Sequence, residues 1–313
     1  MEQLFREKIQ GKPRLSGGQA RILVAPLDWG LGHATRCVPV IRDLLAKGAG
    51  VWLAGEGAQE TLLKAEFPGL PFLQLPGYKV RYAKTARGLL WKMLQQGPKM
   101  QRAINYEHRW LKKAVKEYGF NAVISDNRYG LHHPGIPCIF ITHQLMIKSL
   151  AGKWSERILQ KRNYRYINQF TACWVPDGPD GDQNLAGELS HPLIRPAIPV
   201  RYIGWLSRFI KNDSPGNFGT AKKDHLLIIL SGPEPQRMIL EEKIINDISH
   251  YNGTATIVRG LPGSASLIPS TNMLQFYNHL PAPELCKAME EAAYVISRSG
   301  YSTVMDLVAL QKK

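Results

Sequence analysis

The sequence predicts an α/β protein made of two doubly wound domains in tandem. Three observations carry that expectation. Short apolar runs recur along the chain, each followed by a turn and then by a stretch of helical periodicity. The first run ends in a glycine-bearing turn, and a polar stretch rich in glycine and proline divides the runs into two series.

The first series opens with RILVAPL (21–27), which reads as a buried strand. Asp28-Trp29-Gly30-Leu31-Gly32-His33 follows, and then an apolar-periodic helix from about Thr35 to Lys47. Strand, glycine loop and helix form the opening unit of a parallel sheet. VWLAGEG from 51, FLQLPG from 72, NAVISD from 121, CIFITH from 138 and ACWVPD from 172 continue it as short buried strands. The first domain is expected over 20–206 and a linker over 207–223. The second domain, 224–313, carries HLLIILS from 225, TATIVRG from 254, MLQFYN from 273 and AYVISRS from 293. Both series are Rossmann-like, so the default ligand site is the cleft between them. A doubly wound domain usually has about five or six strands. Four, followed by a closing helix, lead to the expectation that the second domain is incomplete and the chain truncated.

Composition narrows the class. The 313 residues are 44% apolar and 21% charged, which excludes disordered, collagenous and disulfide-scaffold chains. No apolar run approaches the roughly 18 residues of a membrane span, and the start, MEQLFREKIQGKPRL, lacks a signal-peptide pattern. Cys37, Cys138, Cys173 and Cys286 are scattered, with no metal-ligand spacing. A reduced, cytoplasmic protein is expected.

Lys and Arg number 40 against 25 Asp and Glu, a net charge of +15. Residues 1–200 hold 28 basic and 15 acidic groups, so the excess belongs to the first domain. Eleven basic residues lie between Lys79 and Lys116 against the single acid Glu107. Lys84, Arg87, Trp91, Lys92, Lys99 and Arg102 mix cationic and apolar side chains in a way that suits an anionic membrane surface. Lys153, Arg157, Lys161, Arg162 and Arg165 extend the same pattern, with a solvated helix face as the plainer alternative. No nucleic-acid-binding module accompanies the charge, so nucleic acid is not expected as a partner.

Five loops carry candidate chemistry. Gly30 and Gly32 lie where a strand end meets a helix N-terminus, a place suited to an anion or a sugar, and His33 beside them is a natural general base. The G-x-G here does not continue as a G-x-G-x-x-G dinucleotide fingerprint. Asp126 and His143 each follow a strand of the same domain and are expected at the same edge as His33, Asp126 as an orienting group or an alternative base. In the second domain Ser231 and Gly232 follow the first strand. Later, Arg298, Ser299, Gly300 and Thr303 open a helix, with Asp306 one turn in, either as part of a capping box or as the acceptor for a ribose diol. Asp180-Gly181-Asp182 has the turn chemistry of DGPDGD and is not read as a metal site; no metal is expected.

GLGHATR (30–36) and SRSGYSTVMD (297–306) together resemble glycosyltransferase family 28, the GT-B enzymes typified by the MurG-type N-acetylglucosaminyltransferases. The resemblance extends from about Arg21 to Leu310. It implies a UDP-sugar donor, no other cofactor, and metal-independent, inverting transfer to a lipid-linked or otherwise amphipathic acceptor at the inner face of the membrane. It assigns Gly30, Gly32, His33, His143 and Gln144 to the acceptor side. Ser231, Gly232, Arg298, Ser299, Gly300 and Thr303 fall on the donor side, with Asp306 on the ribose and Phe276, Tyr277 and Asn278 flanking the uracil. Pro233 and Pro235 depart from the family's second glycine loop, and His143-Gln144 keeps only part of its acceptor motif. Two other outcomes remain open at this level: a UDP-sugar epimerase on the same fold, and a non-catalytic remnant that binds a membrane surface.

Overall fold

The computed structural model describes residues 19–78, 86–149, 152–179, 184–209, 222, 224–232 and 234–312. Lys84, Asp180 to Asp182, Pro233, and positions 210–221 and 223 of the expected linker lie outside the described residues, as do the side chains of Arg87, Trp91 and Lys92.

The first sheet has seven parallel strands: β1 (Arg21–Pro26), β2 (Gly50–Gly55), β3 (Phe72–Gln74), β4 (Ala122–Asp126), β5 (Cys138–Ile141), β6 (Ala172–Val175) and β7 (Val200–Tyr202). Their order is β3-β2-β1-β4-β5-β6-β7. Strand β7 is an addition to the six read from the sequence, whose apolar alternation over three residues is too short to register. The second sheet has four strands, β8 (His225–Ile229), β9 (Thr254–Val258), β10 (Leu274–Tyr277) and β11 (Tyr294–Ser297), in the order β10-β9-β8-β11. Both sheets therefore reverse direction beside their first strand, which places a crevice at the carboxyl ends of β1 and β4 and another at those of β8 and β11. On β11, Tyr294 and Ile296 are exposed.

Helices cover the sheets in the expected positions. Helix α1 (Leu31–Ala46) begins four residues earlier than its apolar periodicity suggested, because Gly30, at φ 82°, turns the chain directly from the strand loop into the helix. It buries Ala34, Cys37, Val38, Ile41 and Leu44, the face that recurs every three to four residues. Helix α2 (Ala58–Glu66) packs beside it, and α3 (Ala86–Tyr118) and α4 (Lys153–Ile167) follow. The second sheet carries α5 (Gln236–Ile248), α6 (Ala282–Glu291) and α7 (Tyr301–Ala309).

Glu107, the lone acid of the basic segment, is not a surface residue. It is fully buried on α3, where it accepts hydrogen bonds from Tyr78 Oη (2.8 Å), Arg128 Nη1 (2.9 Å) and the Gly130 amide (3.0 Å). Arg128 in turn donates from Nε to the Pro26 carbonyl (2.7 Å), so the long helix is tied through one buried ion pair to the ends of β1 and β4. Glu107→Ala would strand the buried Arg128 charge and should cost about 3–5 kcal/mol. A urea midpoint unchanged from wild type would show that the pair does not anchor the helix.

Candidate active site between the two sheets

The two crevices face each other across a cavity of about 910 Å³. Its first-domain wall is built by the loop after β1, by His143 and Gln144 after β5, and by Leu185, Ala186 and Leu189 before β7. Its second-domain wall is built by Ser231 and Gly232 after β8 and by Arg298 to Val304 at the start of α7.

At the first crevice the backbone register sets Pro26 beside Asp126, so the loop after β1 and the end of β4 share one edge. Asp126 is fully buried. Arg36, 2% exposed on α1, grips it with two bonds, Nε to Oδ2 at 2.7 Å and Nη2 to Oδ1. His33 Nδ1 stands 3.2 Å from Asp126 Oδ1 and 2.9 Å from Arg36 Nη2. Arg36 Nη1 reaches His143 Nδ1 at 3.1 Å. One guanidinium thus touches the carboxylate and both imidazoles.

The charges follow from these contacts. Burial would push the Asp126 carboxyl upward, but Arg36 and His33 outweigh it and bring the group down to about 2. It is an ionised, fully engaged carboxylate with no face toward the cavity. Of the two roles expected for it, this placement has the geometry of the orienting one, a contact with His33 and none with the cavity. Burial, reinforced by Arg36, lowers His33 below its ordinary value despite the Asp126 charge, so the imidazole is neutral at pH 7. Burial and the Arg36 charge take His143 to about 3. A guanidinium can only donate, so His143 Nδ1 accepts and the proton of this neutral ring is on Nε2. His33 Nδ1 meets an acceptor in Asp126 Oδ1 and a donor in Arg36 Nη2, and these two contacts favour opposite tautomers; the Nε2 lone pair is free for the cavity in the tautomer that donates Nδ1–H to Asp126.

The second crevice is closed over the first by glycine. Ser302 Oγ donates to the Gly32 carbonyl at 2.8 Å, and a Cβ on Gly32 would lie 2.6 Å from that hydroxyl oxygen. Gly232, at φ 103°, is the corresponding residue on the other side, since a Cβ there would run into the Arg298 guanidinium. Arg298 Nη1 donates to the Ser231 carbonyl at 3.1 Å, which joins the loops after β8 and β11. Tyr301 stacks flat on His143, with centroids 4.2 Å apart and planes at 11°. The nearby Asp177 carboxylate adds to burial in raising the Tyr301 hydroxyl.

Most residues expected at the site are there: Gly30, Gly32, His33, His143, Gln144, Ser231, Gly232, Arg298, Ser299, Gly300 and Thr303 all line the cavity. Two expectations are corrected. Asp306 borders the cavity, but it is 4% exposed, takes a hydrogen bond from Ser207 Oγ (2.7 Å) and pairs with Arg208 Nε at 3.5 Å. It holds the segment joining the two sheets instead of offering a free carboxylate to a diol, and α7 has no side-chain cap. Phe276, Tyr277 and Asn278 are not cavity residues: Phe276 packs on the core, Tyr277 is exposed, and Asn278 is engaged with Arg259, Ser264 and Ser266. The chain reaches the cavity one residue later, at His279 and Leu280. Of the basic patch, Lys99 and Arg102 are exposed on α3.

The sequence reading missed Arg36, Tyr301 and Ser302 as site residues. Arg36 was signalled by its position three residues after His33 on a helix, which puts both on one face. Tyr301 and Ser302 lie inside the quoted SRSGYSTVMD, but their partners belong to the other domain.

No protein-family model and no curated protein matches the sequence. Solved structures do match in fold. The glycosyltransferase SnogD from Streptomyces nogalater is 15% identical with a TM-score of 0.51, over 94% of this chain and 81% of that one. Phytolacca americana UGT2, complexed with UDP-2-fluoro-glucose and pterostilbene, is 13% identical with a TM-score of 0.55, over 95% and 80%. The spinosyn rhamnosyltransferase SpnG, complexed with thymidine diphosphate, is 16% identical with a TM-score of 0.52, over 93% and 79%. The chain therefore has the two-sheet GT-B architecture found in these glycosyltransferases.

Two outcomes are expected from the Arg36 cluster. Arg36→Gln should destabilise by about 3–5 kcal/mol by leaving Asp126 uncompensated. Adding Asp126→Asn removes both charges and should recover much of the loss, whereas equal unfolding midpoints for the single and double variants would deny the pairing. For His143, the folded state holds the ring neutral down to about 3 while the unfolded chain protonates near the ordinary 6.5. The unfolded state thus binds the extra proton, and the stability tied to this ring is complete above 6.5 and lost as pH falls toward 3. His143→Phe should flatten that decline in denaturant titrations across the acidic range; an identical slope would contradict the buried neutral ring.

Proposed function

We propose that this protein is a metal-independent, inverting glycosyltransferase that moves a sugar from a UDP-sugar to a hydroxyl of a lipid-linked or otherwise amphipathic acceptor, working from the cytoplasmic side of a membrane. The observation that carries the reading is the neutral His33, its Nδ1 held against the ionised Asp126, facing the Arg298–Gly300 loop across one cavity. The acceptor oxygen attacks the anomeric carbon and gives its proton to His33 Nε2, while the bond from that carbon to the phosphate oxygen breaks and UDP leaves with the electron pair. Asp126 stabilises the imidazolium that forms. The N-terminus of α7 and Arg298 supply positive potential for the departing diphosphate, which is the work a metal does in other enzymes. The apolar side chains of Leu185, Ala186 and Leu189 suit an acceptor with a hydrocarbon part. The paired motifs 30–36 and 297–306 support the likeness to family 28, and the shared fold is compatible with it.

The test is kinetic. His33→Ala should lower turnover by about 10²–10⁴, the usual share of a general base, with UDP affinity unchanged. Wild-type turnover in the variant would remove His33 from the chemistry. For the donor, UDP should raise the melting temperature in a thermal-shift series that includes thymidine diphosphate, because a ligand of the native state stabilises it. A shift with thymidine diphosphate alone would reassign the nucleotide.

A further inference from the structure

Helix α4 and the segment after the cavity wall expose apolar side chains that nothing in the fold requires outside. Trp154 and Ile158 on α4 are 75% and 48% exposed, and Leu193 and Ile194 are 105% and 67% exposed. The two pairs belong to one surface. The Ile194 carbonyl accepts hydrogen bonds from Tyr164 Oη (2.5 Å) and Gln160 Nε2 (3.5 Å), and the Ala197 amide donates to Asn168 Oδ1 (2.9 Å), which pins the strip alongside the helix. With its backbone bound to α4, the strip holds Leu193 and Ile194 in solvent. On the helix, Gln160, Asn163, Tyr164 and Ile167 face inward. Trp154, Ile158, Lys161 and Arg165 therefore form the opposite stripe.

The charge around these residues is predominantly positive. Arg157, Lys161, Arg162 and Arg165 are all exposed on α4, and Arg195 is exposed beside Ile194. Two acids belong to the same segments: Glu156, which accepts from the Ser149 amide at 3.2 Å, and Glu188, whose charge is offset by Lys148. A second copy of the chain would set this basic rim against itself. An anionic bilayer would meet it with phosphates and take up the indole and aliphatic side chains at the level of the headgroups.

We infer that the face formed by Trp154, Ile158, Leu193 and Ile194, ringed by the α4 arginines and lysines, docks on an anionic lipid bilayer. Its residues are other than Lys99 and Arg102 of α3, which α4 meets through the bond from Tyr166 Oη to Gln101 Oε1 (2.5 Å). The face adjoins the acceptor wall of the cavity, because Leu189 bonds to the Met146 amide (2.9 Å) and leads within four residues to Leu193, and because Asn163, on the inner side of α4, holds the carbonyls of Gln144 and Leu145. A lipid-borne acceptor would thus be met where it emerges. That last step rests on the proposed transferase reading, whereas the docking itself does not.

The experiment is flotation of the full chain with vesicles of phosphatidylcholine alone and of phosphatidylcholine with phosphatidylglycerol. The wild type should float with the anionic vesicles only, and less so as salt is raised, since screening lengths shorten to about 8 Å at physiological ionic strength. Leu193→Asp with Ile194→Asp, and separately Arg157→Gln with Lys161→Gln, should each weaken partitioning about tenfold or more. Both pairs are exposed, so thermal unfolding and UDP-induced stabilisation should match wild type. Retention of UDP binding with loss of flotation upholds the docking face, and flotation without UDP binding sinks the transferase reading alone. Undiminished flotation of both variants, equal binding to neutral vesicles, a concentration-dependent dimer that the Asp variant abolishes, or capture by nucleic acid in place of vesicles would each overturn the proposal.

Discussion

A single buried ion pair organises the site. Arg36 and Asp126 come from elements 90 residues apart, and they meet because β1 and β4 are neighbours at the point where the first sheet changes direction. Removing two charges from water carries a heavy desolvation cost, and bidentate geometry is what makes such a pair tolerable. The pair leaves donors on Arg36 to spare, and these meet His33 and His143. Histidine orientation and the ionised state of Asp126 thus depend on one guanidinium, which also reinforces burial in keeping both rings neutral. Lysine could not take its place, having no planar fork with which to hold a carboxylate and two rings together.

The second domain contributes by approach. Its loops come close to the first domain at two glycines of the loop after β1: Gly32 takes the Ser302 hydroxyl, and a Cβ on Gly30 would lie 3.7 Å from the Gly232 Cα, while Gly232 in turn leaves room for the Arg298 guanidinium of its own domain. The His143–Tyr301 stack and the Ser207–Asp306 bond close the seam at two further places. Asp306 is instructive in this respect. A carboxylate one turn into a helix N-terminus invites a ligand-binding interpretation, but burial changes its circumstances, and Ser207 and Arg208 from the connecting segment satisfy it.

Much of this architecture was legible in the sequence because buried parallel strands read as unbroken apolar runs, such as Leu226 to Leu230, and because strand, glycine and helix follow one another at short range. The cavity residues Gly30, His33, His143, Ser231 and Arg298 were found for the same reason: each lies in the loop or the first helical turn after a strand, and strand ends converge. What escaped was set by contacts between distant segments. Nothing near Arg36 in sequence announces Asp126 as its partner, and Glu107 sits among basic residues as though solvated, although Arg128 holds it in the interior. Asn278 shows the opposite error, since the family resemblance set it beside a uracil and it is instead consumed by its own loop.

The strand order has a consequence for how the chain acquires its structure. Ile22 of β1 pairs with Val51 on one side and with Ala122 on the other, so the central strand of the first sheet gains its second neighbour only after about a hundred further residues are available. Loops of that length are entropically slow to close, and sheets of high contact order fold late. On a ribosome, β1, β2 and β3 would emerge as a half-sheet whose apolar edge stays open until β4 arrives. Arg36 would wait, charged and unpaired, for Asp126. The residue that organises the finished site thus finds its partner in the same event that gives the central strand its second neighbour.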